Sequence, residues 1–187
     1  RDKTDELFAD PLLAERTNPD LADTRYIQLG KHEESGEELP FILRNTIELD
    51  QVFRDMLVRE PILSLADAMV GQDCKFCGQN VLRNLPGVAI EQWHVDGQVH
   101  FPVPENVPRH DPRIRMPIMW FTVQMALTDI ESIEHGPTQY VPGSHHSGRN
   151  PNDQDHPEFE GQGATSGCCK AGGIYLQDPP GCHRGAP

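Results

Sequence analysis

Along the chain, stretches with helical apolar spacing give way to short segments bounded by turns. From Glu48 to Arg59, Leu49, Val52, Phe53 and Met56 recur at helical spacing with Leu57 beside them, which predicts one amphipathic helix. Pro61 suits the first position of a second helix, with Leu63, Leu65, Ala66 and Met69 as its apolar positions and Gly71 as its stop. After Gly71 the pattern shortens to Cys74–Asn84, Ala89–His94, Ile118–Leu127, Thr138–Val141 and Gly173–Gln177, separated by Pro and Gly. Short strands punctuated in this way predict a sandwich or barrel.

Between the strands lie two long polar inserts, 99–117 and 145–170, rich in Pro, His, Asp and Gly. Loops of that length are either disordered or functional, often as lids. Residues 1–40 are polar and broken by Pro11, Pro19 and Pro40, with Glu33, Glu34, Glu37 and Glu38 crowded around Ser35-Gly36. This stretch is expected to bury little and to form an N-terminal arm with a mobile loop.

At 187 residues, the chain is expected to form one domain with one core: an arm over 1–39, a helical region over 40–71 and a β core over 72–187. The balance of 29 acidic against 16 basic side chains, a formal charge of −13, disfavours nucleic acid or an anionic membrane as partner. No run reaches the roughly 18 apolar residues of a membrane span, and the opening Arg-Asp-Lys-Thr-Asp-Glu has no signal-peptide character. The expectation is a cytoplasmic monomer or homodimer acting on a small molecule.

Five cysteines, at 74, 77, 168, 169 and 182, are too few and too uneven for a disulfide framework. Cys74-Lys75-Phe76-Cys77 and Cys168-Cys169 fit structural zinc poorly, since adjacent cysteines are not the usual ligand pair. Buried free thiols are the favoured reading.

The chemistry concentrates in Gln92-Trp93-His94-Val95-Asp96. On an extended segment His94 and Asp96 point to the same side, so both can reach one metal. A second imidazole completes the two-histidine, one-carboxylate arrangement that leaves open positions on iron(II). Among nine histidines, His183 stands out because it follows the Gly173–Gln177 segment and a Pro179-Pro180-Gly181 turn.

Taken together, Gln92-Trp93-His94-Val95-Asp96, Gly136-Pro137-Thr138-Gln139-Tyr140-Val141-Pro142-Gly143-Ser144-His145 and His183-Arg184-Gly185-Ala186-Pro187 resemble the phytanoyl-CoA dioxygenase family in order and spacing, with a family-like Arg44-Asn45 upstream. The resemblance covers roughly residues 40–187. It implies a mainly β fold with flanking helices, a double-stranded β-helix or cupin-like jelly-roll. It also implies iron(II), 2-oxoglutarate and O2 as cofactor and co-substrates for hydroxylation, and iron ligands at His94, Asp96 and His183. Contacts to the keto acid are implied at Gln124, then Thr122, and more weakly at Asn80. His145 and His146 fall on the substrate side, and Gly136–Gly143 is a hairpin edge near the metal.

Two departures from the family stand out. The family's Arg for the distal carboxylate of 2-oxoglutarate is expected beyond Pro187, so the core is expected to lack its C-terminal end. Arg184 is no substitute, because strand alternation turns it away from the metal. Gly173 stands where the family commonly has Asp in an Ala-Gly-Asp turn. Two alternatives stay open: a cupin-like metalloenzyme that uses no keto acid, and a catalytically silent jelly-roll binding protein. Asp96 disfavours a halogenase, in which a halide takes the carboxylate's place.

Overall fold

Asp10 and Pro11 start a helix in the way capping chemistry dictates: the Asp10 carboxylate accepts the Leu12 amide at 2.9 Å, and Pro11 fills a position that needs no N–H. This computed structural model describes residues 1–16, 26–96, 104, 106, 117–151 and 153–186. They fall into two units, Arg1–Ala89 and Ile90–Pro187. The content is mainly β with several short helices, and the sheets are small and antiparallel.

The first unit contains helices α1 (Asp2–Phe8) and α2 (Pro11–Glu15), strands β1 (Ile27–Lys31) and β2 (Glu38–Leu43), helices α3 (Thr46–Leu49), α4 (Gln51–Leu57) and α5 (Ile62–Met69), and strand β3 (Val81–Leu82). Its sheet has the order β1-β2-β3. Residues 1–40 are therefore not an arm that buries little. Phe8 and Leu13 pack with Tyr26, Ile27 and Leu43 in a buried cluster, and the glutamate-rich stretch is the turn of the β1–β2 hairpin, closed by His32 N–H donating to Glu37 O at 2.8 Å. Residues 17–25 lie outside the described residues.

On β2 three consecutive residues, Phe41, Ile42 and Leu43, are buried, so both faces of the strand are covered. Packing is close at Gly30, where a Cβ would come within 2.4 Å of Val88 Cγ1 and 3.0 Å of Phe41 Cβ.

The helix expected over Glu48–Arg59 is two. Asp50 adopts extended dihedrals between α3 and α4, and its carboxylate accepts the Val52 amide at 2.9 Å. An N-cap interrupts an otherwise continuous apolar spacing. The second helix forms as α5, but none of its side chains is buried. The expected strand Cys74–Asn84 shrinks to β3, whose two residues pair with Ile42 and Leu43. Cys74 and Cys77 consequently sit exposed in a loop; Cys168 is exposed too, and only Cys182 is buried, contrary to the expectation of buried thiols.

The second unit contains β4 (Thr122–Met125), β5 (Thr138–Tyr140), β6 (Glu158–Phe159), β7 (Gln162–Gly163), β8 (Thr165–Ser166), β9 (Ile174–Gln177) and β10 (His183–Gly185). Its pairings are β10-β5-β8, β4-β9 and β6-β7. Strand β5 is thus the central strand of its sheet and not a hairpin edge. It lies between Gly136 and Gly143, which take positive φ of 63° and 77°.

The insert expected over 145–170 is largely structured. Glu160 and Gly161, both at positive φ, make the tight turn that joins β6 to β7. Most of the 99–117 insert lies outside the described residues. Ala89–His94 forms no strand, but it touches β10 through Gly185 N–H to Ile90 O at 2.8 Å and through a bridge between His94 and His183. At Gly173 a Cβ would meet Lys170 O at 2.8 Å, so this turn as folded has no room for the Asp of the family pattern.

Candidate metal centre

Strand pairing places the two histidines. His94 N–H donates to His183 O at 2.9 Å, and His183 N–H donates to His94 O at 3.0 Å, so the two residues are directly opposed and their side chains leave the ladder on the same side. The rings stand 4.3 Å apart between centroids. Two positions beyond His94, the Asp96 amide donates to Pro179 O at 3.1 Å, which returns the carboxylate to the same side. His94 Nε2 is 3.6 Å from Asp96 Oδ1, and His183 Nε2 is 3.4 Å from Asp96 Oδ2. One ligand atom from each of the three residues falls within 4.8 Å of the others, and among the described residues this is the one such cluster of metal-ligating side chains.

The other ring nitrogens are engaged elsewhere. His94 Nδ1 lies 2.8 Å from Gln92 O, and His183 Nδ1 lies 2.9 Å from Gly181 O. A carbonyl only accepts, so each contact favours a hydrogen on Nδ1 and a lone pair on Nε2, directed at the carboxylate. Two such nitrogens and an anionic oxygen are a donor set suited to iron(II) or another divalent first-row metal. His183 is 6% exposed, whereas Asp96 leaves 39% of its side chain to solvent. The donor set is therefore covered at His183 and open at Asp96 and at His94, whose side chain is 34% exposed.

Electrostatics follow from the contacts. The imidazoles of His183 and then His94 hold the Asp96 carboxyl well below the usual carboxylate range, against the opposing effect of burial. His94 is shifted upward, chiefly by its contact with Asp96, with burial again opposing. The Cys182 thiol, packed against Trp93 and Val141, is pushed up to about 11 by burial and is a core group.

The remaining predicted residues separate. Gln124 lies on β4 and is fully engaged: its Oε1 accepts from Thr138 Oγ1 at 2.9 Å and from the Tyr175 hydroxyl, and its Nε2 donates to Gln177 Oε1 at 2.6 Å. Thr122 shares that face of β4 and stands opposite Gln177. Asn80 belongs to the first unit, where its side chain accepts the Asn45 amide at 3.3 Å. His145 and His146 occupy a turn with their rings 3.9 Å apart and lie outside the ligand cluster. Arg184 is turned away from the three donors: its guanidinium covers the Trp93 ring at 4.9 Å and its Nε donates to Gln139.

Two positioning residues had no signal in the sequence. Gln177 is 8% exposed and places its amide 2.8 Å from His183 Nδ1. Gln154, in the second insert, grips the backbone beside His94: its Oε1 accepts the Trp93 amide at 2.8 Å and its Nε2 donates to Trp93 O at 3.2 Å.

The phytanoyl-CoA dioxygenase (PhyH) profile matches residues 9–187. The chain belongs to the phytanoyl-CoA dioxygenase family. Its fold is similar to that in the crystal structure of EvdMO1, with a TM-score of 0.57 and 19% identity over 88% of this chain. The match spans 35% of the EvdMO1 chain, about a third of its length. No curated protein sequence matches significantly. Among the described residues no helix is long and apolar enough to cross a membrane.

Proposed function

We propose that this chain carries the iron(II) centre of an oxygenase that consumes 2-oxoglutarate and dioxygen and hydroxylates a small organic substrate. His94, Asp96 and His183 are the metal ligands in this reading, on a double-stranded β-helix. The convergence of these three donors, with both Nδ1 atoms turned to carbonyls, carries the reading. Family membership supports the cofactor and the keto acid. The bound metal would supply coordination positions on its exposed side for a chelating keto acid and for dioxygen.

The chain's own residues have three tasks. His94 and His183, fixed by their backbone bridge, present Nε2. Asp96 supplies the anionic oxygen and keeps it ionised at any ordinary pH. Thr122, Gln124 and Gln177 form a polar face on the β4–β9 pair, and we assign Gln124 and Thr122 to the keto acid's side of the metal.

The test is anaerobic addition of iron(II) and then 2-oxoglutarate, followed by the weak visible charge-transfer absorption of a chelated keto acid. The band should appear in the wild-type chain and be missing from His94→Ala and His183→Ala. Iron binding without the band would leave a metalloprotein that uses no keto acid.

A further inference from the structure

We infer that the Tyr140 hydroxyl donates a hydrogen bond to the distal carboxylate of 2-oxoglutarate. The inference deepens the reading of this site as an iron(II) and keto-acid centre, and it rests on that reading. Strand register supplies the placement. His94 stands opposite His183 in their bridge, His183 opposite Tyr140 on β5, and Tyr140 opposite Thr165 on β8. Directly opposed residues of antiparallel neighbours share a face, with Cβ atoms about 4.5–5.5 Å apart. The Tyr140 side chain therefore leaves its sheet on the side of the metal ligands, next to His183 and away from His94.

That face continues toward Gln124. Two positions back along β5, Thr138 shares the face of Tyr140, and its Oγ1 lies 2.9 Å from the side-chain amide of Gln124 on β4. The Tyr175 hydroxyl, from β9, meets the same amide. The two phenols are near enough to influence each other: burial raises the Tyr175 hydroxyl above its ordinary value, and Cys169 and Tyr140 add to the rise. The β10-β5-β8 sheet and the β4–β9 pair thus turn polar faces toward each other, and Tyr140 adjoins both His183 and the group around Gln124.

A tyrosine that served packing alone would be covered, with its hydroxyl satisfied. Gln139, on the opposite face of β5, is 8% exposed, whereas Tyr140 is 37% exposed. Among the described residues the Tyr140 hydroxyl has no hydrogen-bond partner. A keto acid bound through its keto oxygen and the adjoining carboxylate leaves a second carboxylate free, beyond a pair of methylene groups. That anion needs donors. Among the described residues, none of the side chains that β4, β5, β8, β9 and β10 place on this face is a lysine or arginine, so on these strands hydroxyls are the donors it meets. A phenol O–H to a carboxylate is a charge-assisted bond of the stronger kind. Tyr140 is a contact residue for the co-substrate and gives up no proton.

The experiment titrates 2-oxoglutarate and pyruvate, by calorimetry without oxygen, into the full chain loaded with iron(II). Pyruvate keeps the chelating end and lacks the distal carboxylate. Tyr140→Phe should weaken 2-oxoglutarate binding about tenfold or more and leave pyruvate binding within about twofold of wild type. A variant that binds 2-oxoglutarate as wild type does, or that loses equally for both acids, overturns the contact. If neither acid binds the iron-loaded wild type, the keto-acid reading itself fails, which is a different result. Where Tyr140→Phe fails to fold, wild type labelled with 3-fluorotyrosine and loaded with zinc(II) decides. Its three tyrosines give separate 19F signals, assigned through Tyr26→Phe and Tyr175→Phe. The Tyr140 signal should move with 2-oxoglutarate and stay in place with pyruvate; a signal unmoved by bound 2-oxoglutarate overturns the contact.

Discussion

His94 and His183, 89 positions apart in sequence order from 94 to 183, exchange both of their backbone hydrogen bonds, at 2.9 and 3.0 Å. The pairing uses no side-chain atom, so the ladder survives changes to either ring. His94→Ala should therefore keep the fold, with a change in urea midpoint typical of surface positions, and lose more than about 100-fold in divalent-metal affinity by calorimetry. A variant that unfolds would place the ring, and not the backbone, at the centre of local stability.

Gln154 is the next test. Its amide replaces a strand partner for Trp93, in a double contact that spans 61 residues. Losing it leaves a buried backbone N–H and C=O without their partner, at a cost of about 1–3 kcal/mol. Gln154→Ala should lower stability by that amount and weaken metal binding several-fold, as His94 follows the loosened backbone. Gln154→Glu retains only the acceptor and should fall between the two. Hydrogen exchange at the Trp93 amide reads the effect directly.

Two opposite pH trends are expected from one pair of groups. His94 titrates above its ordinary 6.5 in the folded, metal-free chain, so its contribution to stability is fully present below 6.5 and fades as pH rises through the raised value. Asp96 titrates below its ordinary 3.8, so its contribution is present above 3.8 and fades only on strong acidification. The metal-free chain should draw most from this pair between pH 3.8 and 6.5. Metal affinity should run the other way, rising by up to about tenfold per pH unit until His94 is neutral and then levelling. Urea midpoints of the metal-free chain and zinc titrations across pH 5.5–8.5, a range of about three units, separate the trends. Parallel curves would contradict the assignment of His94.

Gly30 tests the first unit. A methyl group there collides with Val88 and with Phe41 on the neighbouring strand. Gly30→Ala should cost about 1–3 kcal/mol by overpacking, and Val88→Ala should recover part of it. Thermal unfolding of the single and double variants measures the coupling.

How legible these features are depends on what kind of rule wrote them. That His94 and Asp96 share a side follows from period two, and His183 stands out by its place after a strand and a turn, but it is the resemblance of three motifs to the family that joins the three as one ligand set. Gln177 and Gln154 follow no such rule: an amide's role is fixed by which backbone or ring lies opposite, and that depends on the β4–β9 register and on an insert's return path. The buried cluster of Phe8 and Leu13 was illegible for another reason. Its anchors lie on two helices of 7 and 5 residues separated around Pro11, too short for any periodicity. Asp50 illustrates the converse, since apolar spacing runs through it while its carboxylate starts a new helix.

The Asp178–Gly181 turn supports all of this from beneath. Gly181 N–H closes it onto Asp178 O at 2.8 Å, Pro179 O receives the Asp96 amide, and Gly181 O receives His183 Nδ1. Two consecutive prolines leave little freedom to lose, and Pro179 is wholly buried. A cage stiffened in this way cannot reshape itself around each visiting ion. If it holds a metal, it would choose by the coordination shape the ion tolerates more than by how strongly the ion binds nitrogen, which is how a weakly binding ion such as iron(II) would hold a place against zinc or copper.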